Sequence, residues 1–519
     1  MQQRAGFHMR KQNTYKNIMA NIVSMSVVML LTFVSRYVFL TYLNITYFGL
    51  NSLCVDVLSM LSLAELGIGQ AMVYALYKPI AEDDYSTIRT YIKLYRLLYR
   101  YVALAVLIIG LAVMFFLPQL VKDEVAMPLV YTVFALYLLN SVISYLLSYK
   151  RSILYANQKA YRMVLSDMVF KILAGIGQIV VLVWLQNLVA YVCVTIVSTI
   201  LGNLYVNFMV DRNYPLLRHV SDAVSLDKTR KREIVRNVKA LSIHNMANFF
   251  VKNTDNIVLS YFLTLGIVGM FSNYMFIIVS TGIVVSRIFD SATASIGNMI
   301  VENDTSKTRE VFHTVFFANF VVSHIVISML CVLMQPFITL WVGKQYLLPD
   351  TVVYLMVGYL YLQLMRSGIY CFKTASGIFD QDKIYPVIQS VVNLVLSVVL
   401  VYWLGVPGVL IAKIITSFCL INWTHAYFTY KYTLKCNMGG YFHRMLTYTA
   451  ATVFVCLIGI WLCNAWFAEY SLANAIYRAL SVFTIAVLTI VLLFHRTPEY
   501  RQIVNQINEI WNKLCRRSA

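Results

Sequence analysis

The residues best placed to do chemistry lie inside otherwise apolar stretches. Asn237, His244, Asn245, Asn248, Lys252 and Asp255 fall on one face of a helix over residues 237–262, because steps of three and four keep side chains in register at 3.6 residues per turn. An ionisable group at mid-bilayer costs a few kcal/mol or more unless it meets water or a partner, so this face is expected to line a wet cavity. A local Lys252–Asp255 ion pair is the simpler alternative. Arg287, Asp290, Ser291 and Asn298 repeat the pattern in the next run, and Asp56 and Glu65 do so near the start of the chain. Arg36 lies on the corresponding first run. Arg366 has no acid within four residues, so it faces a cavity or neutralises an acid on another helix. Asp167 and Lys171 are spaced i, i+4 and are expected to pair structurally. Lys413 and Arg478, near the ends of their runs, are expected to snorkel towards the headgroups.

Basic groups outnumber acidic ones within these runs, which suits an anionic cargo. Arginine is the natural ligand for phosphate because its planar fork stays charged and bonds two oxygens at once. The substrate-binding expectation therefore rests on Arg36, Asn248, Lys252, Arg287 and Arg366. Glu65, Asp255 and Asp290 can titrate or hold a cation, and Asp56, His244, Asn245 and Asn298 complete the lining. No phosphate-binding GxxxxGK[ST] loop, HExxH or GxSxG occurs, so ATP hydrolysis and these hydrolytic chemistries are not expected. The 9 cysteines form no CxxC pair and read as small core residues. No cofactor or metal is called for.

What positions these groups is a bundle of membrane helices. Of the 519 residues, 60% are hydrophobic and 13% charged, against about 25% charged in a typical soluble domain. Fourteen apolar runs are long enough to cross a bilayer, the first at 18–42, the second at 48–77, the seventh at 237–262 and the last two at 445–467 and 472–495. Outside the runs, all Lys and Arg except Lys122 and Lys344 fall on one side when the N-terminus is placed in the cytoplasm. This bias expects both termini inside, and it accounts for most of the +19 net charge without nucleic acid.

The chain divides at a basic amphipathic linker, 211–236. At one fixed offset and without a gap, Leu43, Gly49, Ser52, Glu82, Asp84 and Arg89 fall on Leu263, Gly269, Ser272, Glu302, Asp304 and Arg309. Six spans per copy is an even number, so the copies are parallel repeats. The expected fold is all-α: a six-helix lobe at 1–210, a second at 237–432, a central cavity, and at 433–519 two added helices with a basic amphipathic tail. The linker and tail are expected to lie on anionic lipids. Short outer loops leave little room for an enzyme's site.

Residues 253–260 (NTDNIVLS), 266–274 (GIVGMFSNY) and 47–50 (YFGL), on fourteen spans and two six-helix repeats, resemble the Wzx polysaccharide flippases of the superfamily that also holds MATE exporters and MurJ. The resemblance implies alternating access at the bacterial cytoplasmic membrane. Its cargo would be an oligosaccharide repeat unit on undecaprenyl pyrophosphate, moved outward for capsule, O-antigen or exopolysaccharide assembly. Proton or sodium coupling is implied, as are a polysaccharide polymerase and glycosyltransferases as partners. A MATE-type small-molecule exporter and a lipid II flippase stay open as alternatives. A membrane-embedded ligase or acyltransferase is disfavoured by the short loops.

Overall fold

The computed structural model describes residues 2–61, 68–217, 254–302 and 304–518, and every regular element among them is helical. The first set is α1 (Gln2–Tyr42), α2 (Ile45–Leu61), α3 (Ile68–Ala81), α4 (Tyr85–Met114), α5 (Leu117–Leu120), α6 (Met127–Leu147), α7 (Arg151–Ala156), α8 (Ala160–Leu185) and α9 (Leu188–Asn213). The second is α10 (Asp255–Phe262), α11 (Leu265–Asp290), α12 (Thr293–Val301), α13 (Thr305–Trp341), α14 (Asp350–Ala375), α15 (Ile384–Leu404), α16 (Val406–Thr416) and α17 (Trp423–Phe428). After these come α18 (Gly439–Trp466), α19 (Leu472–Phe494) and α20 (Pro498–Ser518). Among the described residues 12 stretches are long and apolar enough to cross a membrane, and they coincide with 12 of the expected spans. The second and seventh spans include residues 62–67 and 237–253, which lie outside the described residues; α2, α3 and α10 are their described parts.

The helices form two compact units, Met1–Gly269 and Met270–Ala519. The repeat places a divide at 211–236, most of which is not described. By packing, the first unit runs on to Gly269 because α10 lies against α2 and α5. The start of α11 is also pinned there: the Leu265 amide donates to Asp123 Oδ2 at 2.6 Å, and Lys122 Nζ donates to the Phe262 carbonyl at 3.4 Å.

Repeat-related residues do the same work in their own copies. Asp84 caps α4 by accepting from the Thr87 amide at 3.0 Å, and Asp304 caps α13 by accepting from the Lys307 amide at 3.0 Å. Such caps satisfy amides that the first helical turn leaves open. A Cβ on Gly49 would lie 1.8 Å from the Leu265 carbonyl oxygen, and one on Gly269 would lie 2.6 Å from that of Ile45. Ile45 and Leu265 are themselves separated by the repeat offset, so the contact is reciprocal between repeat-related positions. Glycine is needed at both because backbone meets backbone.

In the second unit the added helices α18 and α19 pack on α13. Phe312, Phe316, Phe317 and Phe320 of α13 are buried, and the last three meet Tyr448 or Phe494, with Phe320 stacked on Tyr448 at 4.1 Å. Arg478 does not snorkel. It is buried, and its guanidinium donates to the Phe467 carbonyl at 2.6 and 3.0 Å, to Cys463 at 3.4 Å and to Val332 at 3.3 Å. A helix C-terminus leaves carbonyls open, and this arginine closes α18 while tying α19 to α13. The tail helix α20 starts on protein: Arg444 donates to Glu499 at 2.9 Å, and Gln502 bonds Thr314 and Glu310. Ile507 and Trp511 further along it are exposed.

Candidate functional site

In the first unit Arg36, Asp56 and Asn256 come together. Arg36 lies 5.1 Å from the Phe48 ring centroid and within the electrostatic field of Asp56 and Tyr191. Asn256 Nδ2 donates to Asp56 Oδ2 at 2.7 Å, joining α2 to α10, while Tyr137 donates to Asn51 on α2. Asp255 is buried at the first turn of α10, where the partial positive charge of a helix start favours a carboxylate. Glu65, His244, Asn245, Asn248 and Lys252 lie outside the described residues.

In the second unit the polar groups follow α14. Tyr359, Gln363, Arg366, Tyr370 and Lys373 recur at steps of four, three, four and three and so share a face. Gln363 Nε2 donates to the Tyr359 hydroxyl at 2.6 Å, and Lys413 sits 5.2 Å from the centroid of that ring. Lys413 is only 2% exposed. The chain ends of its run predict snorkelling, but α16 packs on both α14 and α15, so position 413 faces protein. Arg366 is half-buried, within the electrostatic reach of Tyr359 and Tyr370 on the same face, and among the described residues it makes no ion pair with a carboxylate. Arg287, Asp290 and Asn298 lie along α11 and α12, with Ser286 of α11 3.3 Å from Ser367 of α14.

The Asp167–Lys171 pair does not form. Asp167 accepts both guanidinium arms of Arg151, at 2.8 and 2.9 Å, and Arg151 Nε donates to Asn203 at 3.0 Å. A bidentate arginine from α7 outcompetes a flexible lysine on the same helix. The role of Asp167 is structural, but it joins α7, α8 and α9 rather than two turns of one helix.

Sequence reasoning missed a deeply buried ionic group, made by Lys373 of α14, Asp382 of the following turn and His425 of α17. Asp382 Oδ2 contacts Lys373 Nζ and lies 3.3 Å from His425 Nε2, and Lys373 Nζ is 3.3 Å from that nitrogen. The three are 5%, 2% and 6% exposed. Burial pushes the Asp382 carboxyl up, but hydrogen bonds and charge from His425 and Lys373 outweigh it and hold it below its ordinary value. The available signal was a histidine within the twelfth span, which needs a partner there. Its partners lie far back along the chain, beyond two intervening helices, so no local spacing reveals them. Among the described residues, Arg366 and Lys373 stand against Asp382 at the α14 face, which leaves it with excess positive charge.

Comparisons with known proteins bear on the family and the fold. A sequence model of the family described as "Polysaccharide biosynthesis protein" matches residues 14–293. No curated protein sequence matches the chain. Among solved structures, "Lipid II flippase MurJ, inward closed conformation" is similar at a TM-score of 0.64 and 13% identity, covering 94% of this chain and 99% of that one. An inward-facing multidrug resistance MATE family transporter of the MOP superfamily is similar at 0.59 and 16% identity, covering 78% and 96%. At these identities the likeness speaks for the fold. With the family match spanning more than half its length and the fold spanning nearly all of it, the chain belongs to the polysaccharide biosynthesis protein family, as a multi-pass membrane protein with the helical architecture of MurJ and the MATE transporters.

Proposed function

We propose that this protein turns an undecaprenyl-pyrophosphate-linked oligosaccharide repeat unit from the inner to the outer leaflet of the bacterial cytoplasmic membrane by alternating access. The product would feed capsule, O-antigen or exopolysaccharide assembly. The observation that carries the reading is the face of α14, where Arg366 has no carboxylate partner among the described residues and shares the face with Tyr359 and Tyr370. A guanidinium in that setting favours a diphosphate, and the exposed Tyr370 one turn along suits a sugar ring. Sugars and diphosphate cannot cross hydrocarbon unaided, whereas a polyprenyl tail can remain in lipid throughout. The chain has no nucleotide-binding loop, so an ion gradient or consumption of product drives export in this reading. Asp255, buried at the start of α10, is its leading coupling group, and both termini are cytoplasmic.

The test is the leaflet distribution of lipid-linked oligosaccharide in cells with and without the protein, read with an impermeant sugar-modifying reagent. Inner-leaflet accumulation without it, relieved by the wild type but not by Arg366→Ala at equal abundance, supports the reading. An unchanged distribution overturns it, and accumulation of lipid II alone would change the cargo.

A further inference from the structure

Asp382 Oδ2 contacts the Lys373 ammonium directly and lies 3.3 Å from His425 Nε2, which is itself 3.3 Å from Lys373 Nζ. That nitrogen cannot serve both neighbours. As a lone pair it accepts from the Lys373 ammonium, and as an N–H it donates to the Asp382 carboxylate. Asp382 is held ionised by its partners, and the ring offers the open acceptor of the pair, the lone pair on Nε2.

The surroundings of His425 are built for a change. π-helical turns run over Ser417–Asn422 and Thr429–Leu434, on either side of α17, and such turns recur at functional sites. His425 Nδ1, Asn422 Oδ1 and Thr429 Oγ1 are buried without a hydrogen-bond partner. They stand one turn apart on one helix face, where side chains three and four apart are neighbours. Nδ1 carries a hydrogen whenever Nε2 is the lone pair, and in the doubly protonated ring as well.

Among the described residues, the charged and titratable groups around the ring come from α14, the turn after it, the ring's own span and α11. Arg366, Tyr370 and Lys373 come from α14, with Tyr370 tilted against the imidazole at 5.6 Å. Asp382 comes from the turn, whose Asp380 and Lys383 form an exposed pair at 3.5 Å. Tyr427, Tyr430 and Lys431 follow His425 on its own span, with Lys431 5.5 Å from the Tyr427 ring. From α11, Asp290 acts on Cys371 of α14.

We propose that Lys373, Asp382 and His425 form a proton-linked clamp on the anionic cargo: a proton added at His425 Nε2 turns it into a donor to Asp382 and releases the Lys373 ammonium to the cargo diphosphate beside Arg366. The inference rests on the flippase reading. Lys373 lies two turns from Arg366 on the same face, about 10 Å along the axis, and helical side chains tilt towards the N-terminus, which here is towards Tyr370 and Arg366. The proton adds one positive charge where an anion binds, so proton and cargo strengthen each other's binding by the same factor. The proton then travels with the cargo, and through this site an inward proton gradient opposes export instead of driving it.

The experiment is calorimetric titration of the full-length protein in lipid nanodiscs with farnesyl-diphospho-N-acetylglucosamine, whose diphosphate is esterified at both ends and does not titrate near neutral pH. Repeating it in buffers of different ionisation enthalpy counts the protons taken up per ligand bound. The wild type is expected to take up part of a proton per ligand, the fraction growing as the buffer is made more acidic, while His425→Gln and Lys373→Met bind roughly five- to tenfold more weakly at the acidic end with no uptake. Uptake persisting in His425→Gln, or wild-type binding without uptake, overturns the clamp and leaves the flippase reading standing. Absence of any wild-type binding overturns both.

Discussion

The reciprocal glycine contact offers a sharp test of the packing, because the same substitution is expected to act with different strength at two related positions. Ordinary contact begins near 3.4 Å, so Gly49→Ala, whose Cβ would lie 1.8 Å from the Leu265 oxygen, forces the two backbones well apart. Gly269→Ala, at 2.6 Å from the Ile45 oxygen, needs a smaller separation. Both oxygens belong to backbone, so neither clash can be relieved by a rotamer change. Overpacking costs about 1–3 kcal/mol and occasionally more, which places Gly269→Ala within that range and Gly49→Ala at or above its upper end. Gly358, inside α14, has nothing within 4 Å of its would-be Cβ, so Gly358→Ala should stabilise the helix by up to about 1 kcal/mol. Thermal unfolding of the three purified variants in one detergent should rank them Gly49→Ala, Gly269→Ala, wild type, Gly358→Ala from least to most stable. If Gly49→Ala melts with the wild type, the α2–α11 contact is not a native contact and the structural support for the repeat at this point is lost.

Arg478→Met should lower stability by about 1–3 kcal/mol because the Phe467 carbonyl loses a charged donor, and Arg478→Lys should recover little, since a point ammonium cannot span the same carbonyls; paired melting curves decide this. Arg151→Lys should weaken the α7–α8 junction and Lys171→Ala should not, a contrast in melting temperature that would vanish if Asp167 used Lys171 after all. The carboxyl of Asp382 is held below its ordinary value of 3.8, so its stabilising contribution is full above that value and drains away as pH falls through the depressed folded value. Acid unfolding of the wild type should therefore be steeper below about pH 4 than that of Asp382→Asn, and coincident acid limbs would disprove the pairing.

Much of the fold is legible in the chain because membrane insertion imposes a one-dimensional rule. A helix in lipid must satisfy its own backbone and show apolar side chains over a fixed length, so runs such as 384–404 and 472–495 read directly as α15 and α19. The constant offset between the two copies was equally readable, and the matched caps of Asp84 and Asp304 give it physical content. The candidate site was legible only in part. Periodicity places Arg366 on a face of α14 but does not say what that face meets. It also treats Lys373 as one more inner-side charge, though the residue is 5% exposed against Asp382 and His425.

A few charged residues mark the limit. Asp167 and Lys171 satisfy the local pairing rule, yet a guanidinium from another helix offers two parallel bonds where the lysine offers one. Lys413 and Arg478 sit near span ends, where snorkelling is the usual outcome, but neighbouring helices bury both. Composition, hydropathy and repeat spacing by themselves determined an all-helical membrane chain, its segmentation, its internal repeat and a surplus of cationic groups among apolar ones. The tertiary structure alone decided which charge meets which, because in a low-dielectric interior each ionised group must find its partner in three dimensions, and that partner comes from whichever helix the packing brings alongside.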